Sequence, residues 1–202
     1  MKWLIENWFK ANPFLAIYLT LLLVLFVMGN DFALFLLWLQ LPVYFAHEFE
    51  EYILPGGFTR FFNHKMLGSN DDAWPLDPTW SFWINGSVVF LAFPIFLTLS
   101  SVIDVSLGLW CAYFSFVNAF SHVVMVFRHG YNPGCVVSLV LNIPVAIYTI
   151  WYFAANAIVG LDVQVMSALV ALLIQGIVMV LGFRVLKPRV ARKQHENAVS
   201  AR

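Results

Sequence analysis

The chain has 202 residues, of which 61% are hydrophobic and 11% charged, with eleven Lys or Arg balanced by eleven Asp or Glu. At a mean hydropathy of +0.81 it has too little polar surface to cover a soluble globule, and its zero net charge offers no electrostatic footprint for nucleic acid. Two cysteines, Cys111 and Cys135, are too few for a disulfide framework and lack CxxC spacing, which leaves a membrane protein without redox or thiolate-metal work.

Residues 1–12 carry Trp3, Trp8 and Phe9 between Lys2, Glu6 and Lys10, a mixture that predicts an interfacial lead-in at headgroup level. Pro13 opens a first span over residues 13–28. The run ends in Met28-Gly29-Asn30-Asp31 without a small-residue cleavage site, so it reads as retained rather than as a cleaved signal. Gly29-Asn30-Asp31 reverses the chain into a second span, residues 32–54, stopped by Pro55-Gly56-Gly57. Residues 58–79 form one long aromatic connection, which reads as a segment on the membrane surface in preference to a lid, with His64 solvated. A third span covers residues 80–100 with a kink expected at Pro94, and Asp104 marks the turn into a fourth over 105–127. Tyr131-Asn132-Pro133-Gly134 turns the chain into a fifth span, 135–158, and a sixth runs over 163–183. The domain plan is thus an all-α six-helix transmembrane bundle over residues 13–184 with a basic tail, 185–202, mobile at its end and held near anionic headgroups.

Six spans put all eleven Lys and Arg on one side and none in the other three turns, so by the positive-inside rule both termini are cytoplasmic. This topology also gives depth. His47, Glu50 and Glu51 late in the second span, Asn118 and His122 late in the fourth, Asn85 early in the third and Asn142 early in the fifth all fall in the cytoplasmic half. At 1.5 Å of rise per residue, His47 and His122 each lie roughly 8–11 Å from the inner ends of their helices. The outer halves are nearly pure Leu, Val, Phe and Ile, with Cys111, Ser115 and Gln175 as weak exceptions.

The second span ends in Tyr44-Phe-Ala-His-Glu-Phe-Glu-Glu51, which places one histidine and three carboxylates inside an apolar run. Such groups cost at least a few kcal/mol each unless paired, hydrated or metal-bound, and read as functional by default. At about 100° per residue, His47, Glu50 and Glu51 share roughly a 100° arc with Tyr44, while Glu48 sits on the flank, is expected to reach for headgroups or water, and stands with His129 and Tyr131 as a further candidate site residue. On the fourth span Cys111, Ser115, Asn118, His122 and His129 form a second polar stripe. Imidazoles and carboxylates are ligands for Zn, Fe or Mn, so His47, Glu51 and His122 are expected to hold one divalent metal, with His129 as a possible fourth ligand. Glu50 is assigned as general base, and Asn118 as the group that orients a ligand or stabilises an oxyanion.

Three short signatures stand in order: His47-x-x-Glu50-Glu51, Asn118-x-x-x-His122 and Tyr131-x-Pro133-Gly134. Together, over about residues 40–145, they resemble the HXXEE-motif family of small multipass membrane proteins. The resemblance implies a membrane location and a set of site residues but supplies no activity. The helix also resembles the HxxEH zinc-protease helix, with Glu51 replacing the second histidine.

Chemistry therefore leaves three readings. The first is a metal-dependent membrane enzyme acting on a lipid-like or hydrophobic substrate, since no phosphate-cradling glycine loop is present and the site lies at inner-leaflet depth. The second is a proton or ion relay through the same His and Glu residues, and the third a polar cluster that only fixes helix packing. In the bland reading Tyr131-Asn-Pro-Gly134 is a helix stop and turn, and its alternative is substrate gating at Tyr131.

Overall fold

A computed structural model describes residues 1–200; the last two residues, which include Arg202 and the end of the tail, lie outside the described residues. Among the described residues the chain is all-helical, with six helices long and apolar enough to cross a membrane. They are α1 (Lys2–Val27), α2 (Phe32–Tyr52), α3 (Pro78–Val102), α4 (Val105–His129), α5 (Cys135–Ala155) and α6 (Leu161–Ser200). Asp31, Asp77 and Asp104 open α2, α3 and α4 by accepting a bond from the backbone N–H of Leu34, Trp80 and Ser106, so the turn aspartates are caps.

The bundle is organised around α2. Within each helix's most apolar stretch, 61% of α2 and 50% of α4 are buried, against 11–28% for the other four. The two helices that carry the polar stripes are therefore the two at the centre. α2 packs against α1, α3, α4 and α5, and α4 packs against α5 and α6. The core joins Leu37, Leu41 and Tyr44 of α2 to Phe93 and Leu97 of α3, Trp110 and Phe114 of α4, Phe153 of α5 and Ala171 of α6. Large side chains such as Phe14, Leu25, Leu139, Trp151 and Leu173 face outward, the inverse of a soluble protein's surface.

Three helices widen into a π-helical turn just ahead of a proline: Gly86–Ala92 before Pro94, Ser138–Asn142 before Pro144 and Leu181–Leu186 before Pro188. Proline lacks an N–H and its ring collides with the carbonyl four residues back, and a widened turn there relieves both problems. The expected irregularity at Pro94 takes this form.

Both ends of the described chain are packed. Lys2 to Asn12 run without a break into the apolar stretch of α1, with Trp8 on Tyr52 and Phe90 and the buried Asn12 reaching α2. At the other end α6 continues helical through Ser200, with Leu186 and Val190 packed against Phe62, Leu67 and Leu76 of the 58–77 connection. Lys193 lies 4.3 Å from the Trp74 ring centre and 3.9 Å from Asp71, while Arg189 lies over Trp80. Tail and connection thus share one end of the bundle. The connection begins with a short helix, Phe58–Phe61, which widens over Phe62–Leu67. Asn63 pins it by donating to the carbonyls of Asp72 and Leu76 and accepting from the Leu76 N–H. His64 bonds Asp72 at 2.7 Å on its surface, away from the centre.

Candidate metal centre

α2 and α4 bring His47, Glu51 and His122 together, each buried, with one ligand atom from each lying within 4.8 Å of the others. The Glu51 Oε1 oxygen stands 3.6 Å from His47 Nε2 and 3.4 Å from His122 Nε2. Those separations are too long for good N–H···O bonds, which run from about 2.7 to 3.2 Å. They match two ligands on a shared tetrahedral ion: bonds of about 2.0–2.2 Å place neighbouring ligand atoms roughly 3.3–3.6 Å apart. The two imidazole rings meet edge to face, with centres 4.7 Å apart.

Hydrogen bonding fixes the state of His122. The Asn132 side-chain N–H group donates to the His122 backbone carbonyl at 3.0 Å, and a carbonyl only accepts, so the amide oxygen must face the ring. That oxygen lies 2.7 Å from His122 Nδ1. In the neutral ring the proton then sits on Nδ1, and the Nε2 lone pair points at Glu51. This is the second-layer arrangement that orients metal-binding histidines. His47 is held by Ser138, whose hydroxyl lies 3.3 Å from Nδ1, and His47 Nε2 has no hydrogen-bond partner although it is buried. The His122 Nε2 lone pair and the Glu51 carboxylate face each other beside the unpartnered His47 Nε2, and they repel unless a cation or proton lies between them. Among the described residues no Lys or Arg is buried to supply that charge. The donor set therefore fits a divalent ion such as Zn, Fe or Mn.

The turn between α4 and α5 closes the centre. Gly134 adopts φ +98°, and a Cβ there would lie 2.7 Å from His47 Cε1, 2.9 Å from His122 Cε1 and 3.0 Å from Glu51 Cγ. The turn backbone is laid so close to all three residues that only glycine fits.

Glu50, expected to act as the base, meets the turn after α4 and the start of α5. Its carboxylate accepts from the Tyr131 O–H at 3.0 Å, the Val136 N–H at 3.2 Å and the Val137 N–H at 2.7 Å. It thus receives the first free amides of α5, where a negative charge is favoured by the helix dipole. Tyr131 stays a donor: desolvation first, and then the Glu50 bond, push its phenol up to about 12. Glu48 corrects the expectation that it reaches headgroups or water. It is fully buried, accepting from the Asn12 side chain at 2.8 Å. His129 lies exposed at the end of α4 beside Phe61 and is not gathered into the cluster.

One wall of the cluster faces a cavity of about 80 Å³. Glu51, His122, Tyr44 and Asn118 line it, together with Phe58, Phe62 and Leu76 of the connection and Gln175 of α6. The Phe58 ring lies 5.5 Å from the His122 ring, so the connection is packed onto the centre rather than laid apart on a surface. Sequence reasoning missed Asn132, Ser138, Asn12 and Gln175. Asn132 lay inside a turn whose composition already explained itself. Gln175 counted as an outer-half exception, although it sits fourteen residues into α6, level with the centre.

A protein-family model described as "Protein of unknown function with HXXEE motif" matches residues 38–149, more than half of the chain. No curated protein matches it, and no solved structure does. The matched region holds the whole metal-ligand set and the turn that closes it.

Proposed function

Because the chain belongs to the HXXEE-motif family, whose function is unknown, its role must come from the centre itself, and we propose that it is a membrane-embedded, metal-dependent enzyme. His47, Glu51 and His122 would hold one divalent ion, and Glu51 and His122 also line the cavity from which a substrate would reach it. When bound, such an ion supplies Lewis-acid chemistry, polarising a carbonyl or phosphoryl oxygen or acidifying water for a hydrolytic step. The observation that carries the reading is the convergence of three buried ligand atoms, one with its tautomer fixed by Asn132, beside a cavity that Glu51 and His122 line.

The protein groups have separable roles. Glu51 is the one carboxylate among the described residues on the cavity wall, so it both binds the ion and is available to take a proton. Asn118, whose Oδ1 has no partner, orients what enters. Glu50 is a positioning residue that, through Tyr131 and the start of α5, sets the turn carrying Asn132 and Gly134. The apolar wall favours a lipid-like substrate. The one-sided cations support a cytoplasmic side for both termini, and the packing of the basic tail on the 58–77 connection supports a common side for these segments.

Elemental analysis of the purified protein beside a His47→Ala variant tests this. About one divalent metal per chain, lost in the variant, is expected; wild-type protein purified without chelators that carries none and takes up none would end the proposal. A proton relay is the second reading, favoured by the buried Gln40–Thr149 hydrogen bond of 2.9 Å between α2 and α5. Proton flux into vesicles that His47→Ala abolishes, in protein without metal, would favour it instead.

A further inference from the structure

The cavity beside the metal centre contains polar groups that the protein leaves unsatisfied. Gln175 is 94% buried, being 6% exposed, yet neither its Oε1 nor its Nε2 has a partner. Asn118 Oδ1 on the facing helix α4 is likewise buried and unpartnered. Both residues line the same space as Glu51 and His122. A buried amide without partners is costly and is normally met by water or a ligand. Gln175 offers one donor group and one acceptor, and the unpartnered Asn118 Oδ1 adds a second acceptor.

We propose that this cavity binds the neutral head of an amphiphile that carries both a donor and an acceptor, an alcohol or a carboxamide on a hydrocarbon chain, and presents it to the centre. The proposal deepens the enzyme reading by naming its substrate class, and rests on that reading only for what happens after binding. Three observations select the class. Among the described residues the lining has no Lys or Arg, and its one charged side chain is the Glu51 carboxylate, so a phosphate monoester dianion would exceed what one divalent ion shared with Glu51 neutralises and would leave net negative charge buried. Beside the polar Ser81, Asn85 and Ser121, the wall has an apolar side on which Phe58, Phe62, Ile84, Val178 and Leu186 are placed to take a chain. An ester, ether or aldehyde carries only acceptors, which would satisfy Gln175 Nε2 but leave Gln175 Oε1 and Asn118 Oδ1 unmet. The size agrees: about 80 Å³ corresponds to roughly six water-sized positions, enough for a head group and the first carbons of a chain.

The test uses the full chain in nanodiscs and three photoreactive probes that share one diazirine-bearing twelve-carbon chain and end in a carboxamide, an alcohol or a phosphate monoester. Labelled peptides are mapped by mass spectrometry, and metal content is measured on the same samples. The carboxamide and alcohol should label the segments around Ile84 and Val178 saturably, and the phosphate should not. Gln175→Leu, which keeps the volume and removes the amide, should weaken that labelling about tenfold with metal content unchanged. Asn118→Leu serves as a second variant if the first does not fold, and the comparison among probes needs no variant at all. Equal labelling by the phosphate, undiminished labelling of a folded Gln175→Leu protein, or absence of saturable labelling would each overturn the proposal. Labelling of a protein that holds no metal would leave this inference standing and sink the metal reading, whereas metal-loaded protein that does not label does the reverse.

Discussion

Replacing Gly134 by alanine asks two things of the turn, and a second glycine separates them. Gly134 at φ +98° and Gly57 at φ +90° have similar left-handed backbones, but a Cβ at Gly57 meets nothing within 4 Å. Both substitutions carry the backbone penalty of about 1–2 kcal/mol for an L-residue in that region. Only Gly134→Ala also drives a methyl to within 2.7–3.0 Å of His47, His122 and Glu51, where ordinary carbon contacts are about 3.5–4.0 Å. Relief requires the turn or the ligands to move by roughly 0.5–1 Å, and overpacking of this kind adds about 1–3 kcal/mol. A metal site tolerates only about 0.2 Å in its bonds, so the ligands cannot absorb the shift. Gly134→Ala should therefore lose about 2–5 kcal/mol of stability and at least about tenfold in metal affinity, whereas Gly57→Ala loses about 1–2 kcal/mol and keeps its metal. Thermal unfolding in detergent and competition against a chromogenic chelator measure the two quantities. Equal metal affinity in the two variants would refute the placement of the turn over the cluster.

Three further outcomes follow from the same contacts. Asn132→Leu removes the acceptor of His122 Nδ1–H and should weaken metal binding about 10–100-fold in the chelator competition, while Asn132→Asp, which still accepts that proton, should retain most of it. Glu50→Gln should keep the metal, since its oxygens serve Tyr131, Val136 and Val137, but it turns an NH₂ toward backbone donors and should cost about 1–3 kcal/mol in thermal unfolding. Asn12→Leu leaves the buried Glu48 without its donor and should cost a similar 1–3 kcal/mol, about as much as a central packing defect, although Asn12 lies at the start of the apolar stretch of α1.

The six helices were legible because hydropathy and the one-sided cations constrain them strongly. Their ends were not, for reasons that lie in tertiary packing. Residues 1–12 have the composition of an interfacial segment, but Asn12 and Trp8 find partners on α2 and α3, which hold those turns in the helix. Lys187–Ser200 has no interior glycine and good helix formers, and with Val190 docked on the connection it extends α6 rather than fraying. In the site, His47 with Glu51 follows from i,i+4 spacing and His122 from matched depth, both local properties of helices. Glu50 sits in the same arc, yet its partners come from a turn eighty residues away, and no periodicity carries that information. The same holds for Asn132 and Gly134. Their residue types suit a turn anyway, so composition cannot distinguish a chain reversal from one whose backbone presses on three ligands.

X-ray absorption of the zinc-loaded protein tests the shared site most directly. Scattering from two imidazole rings, with an average first shell of nitrogen and oxygen at about 2.0–2.1 Å and no sulfur at about 2.3 Å, is the predicted spectrum, and His122→Ala should reduce it to one ring. A spectrum without imidazole scattering, or one unchanged by His122→Ala, would contradict the account.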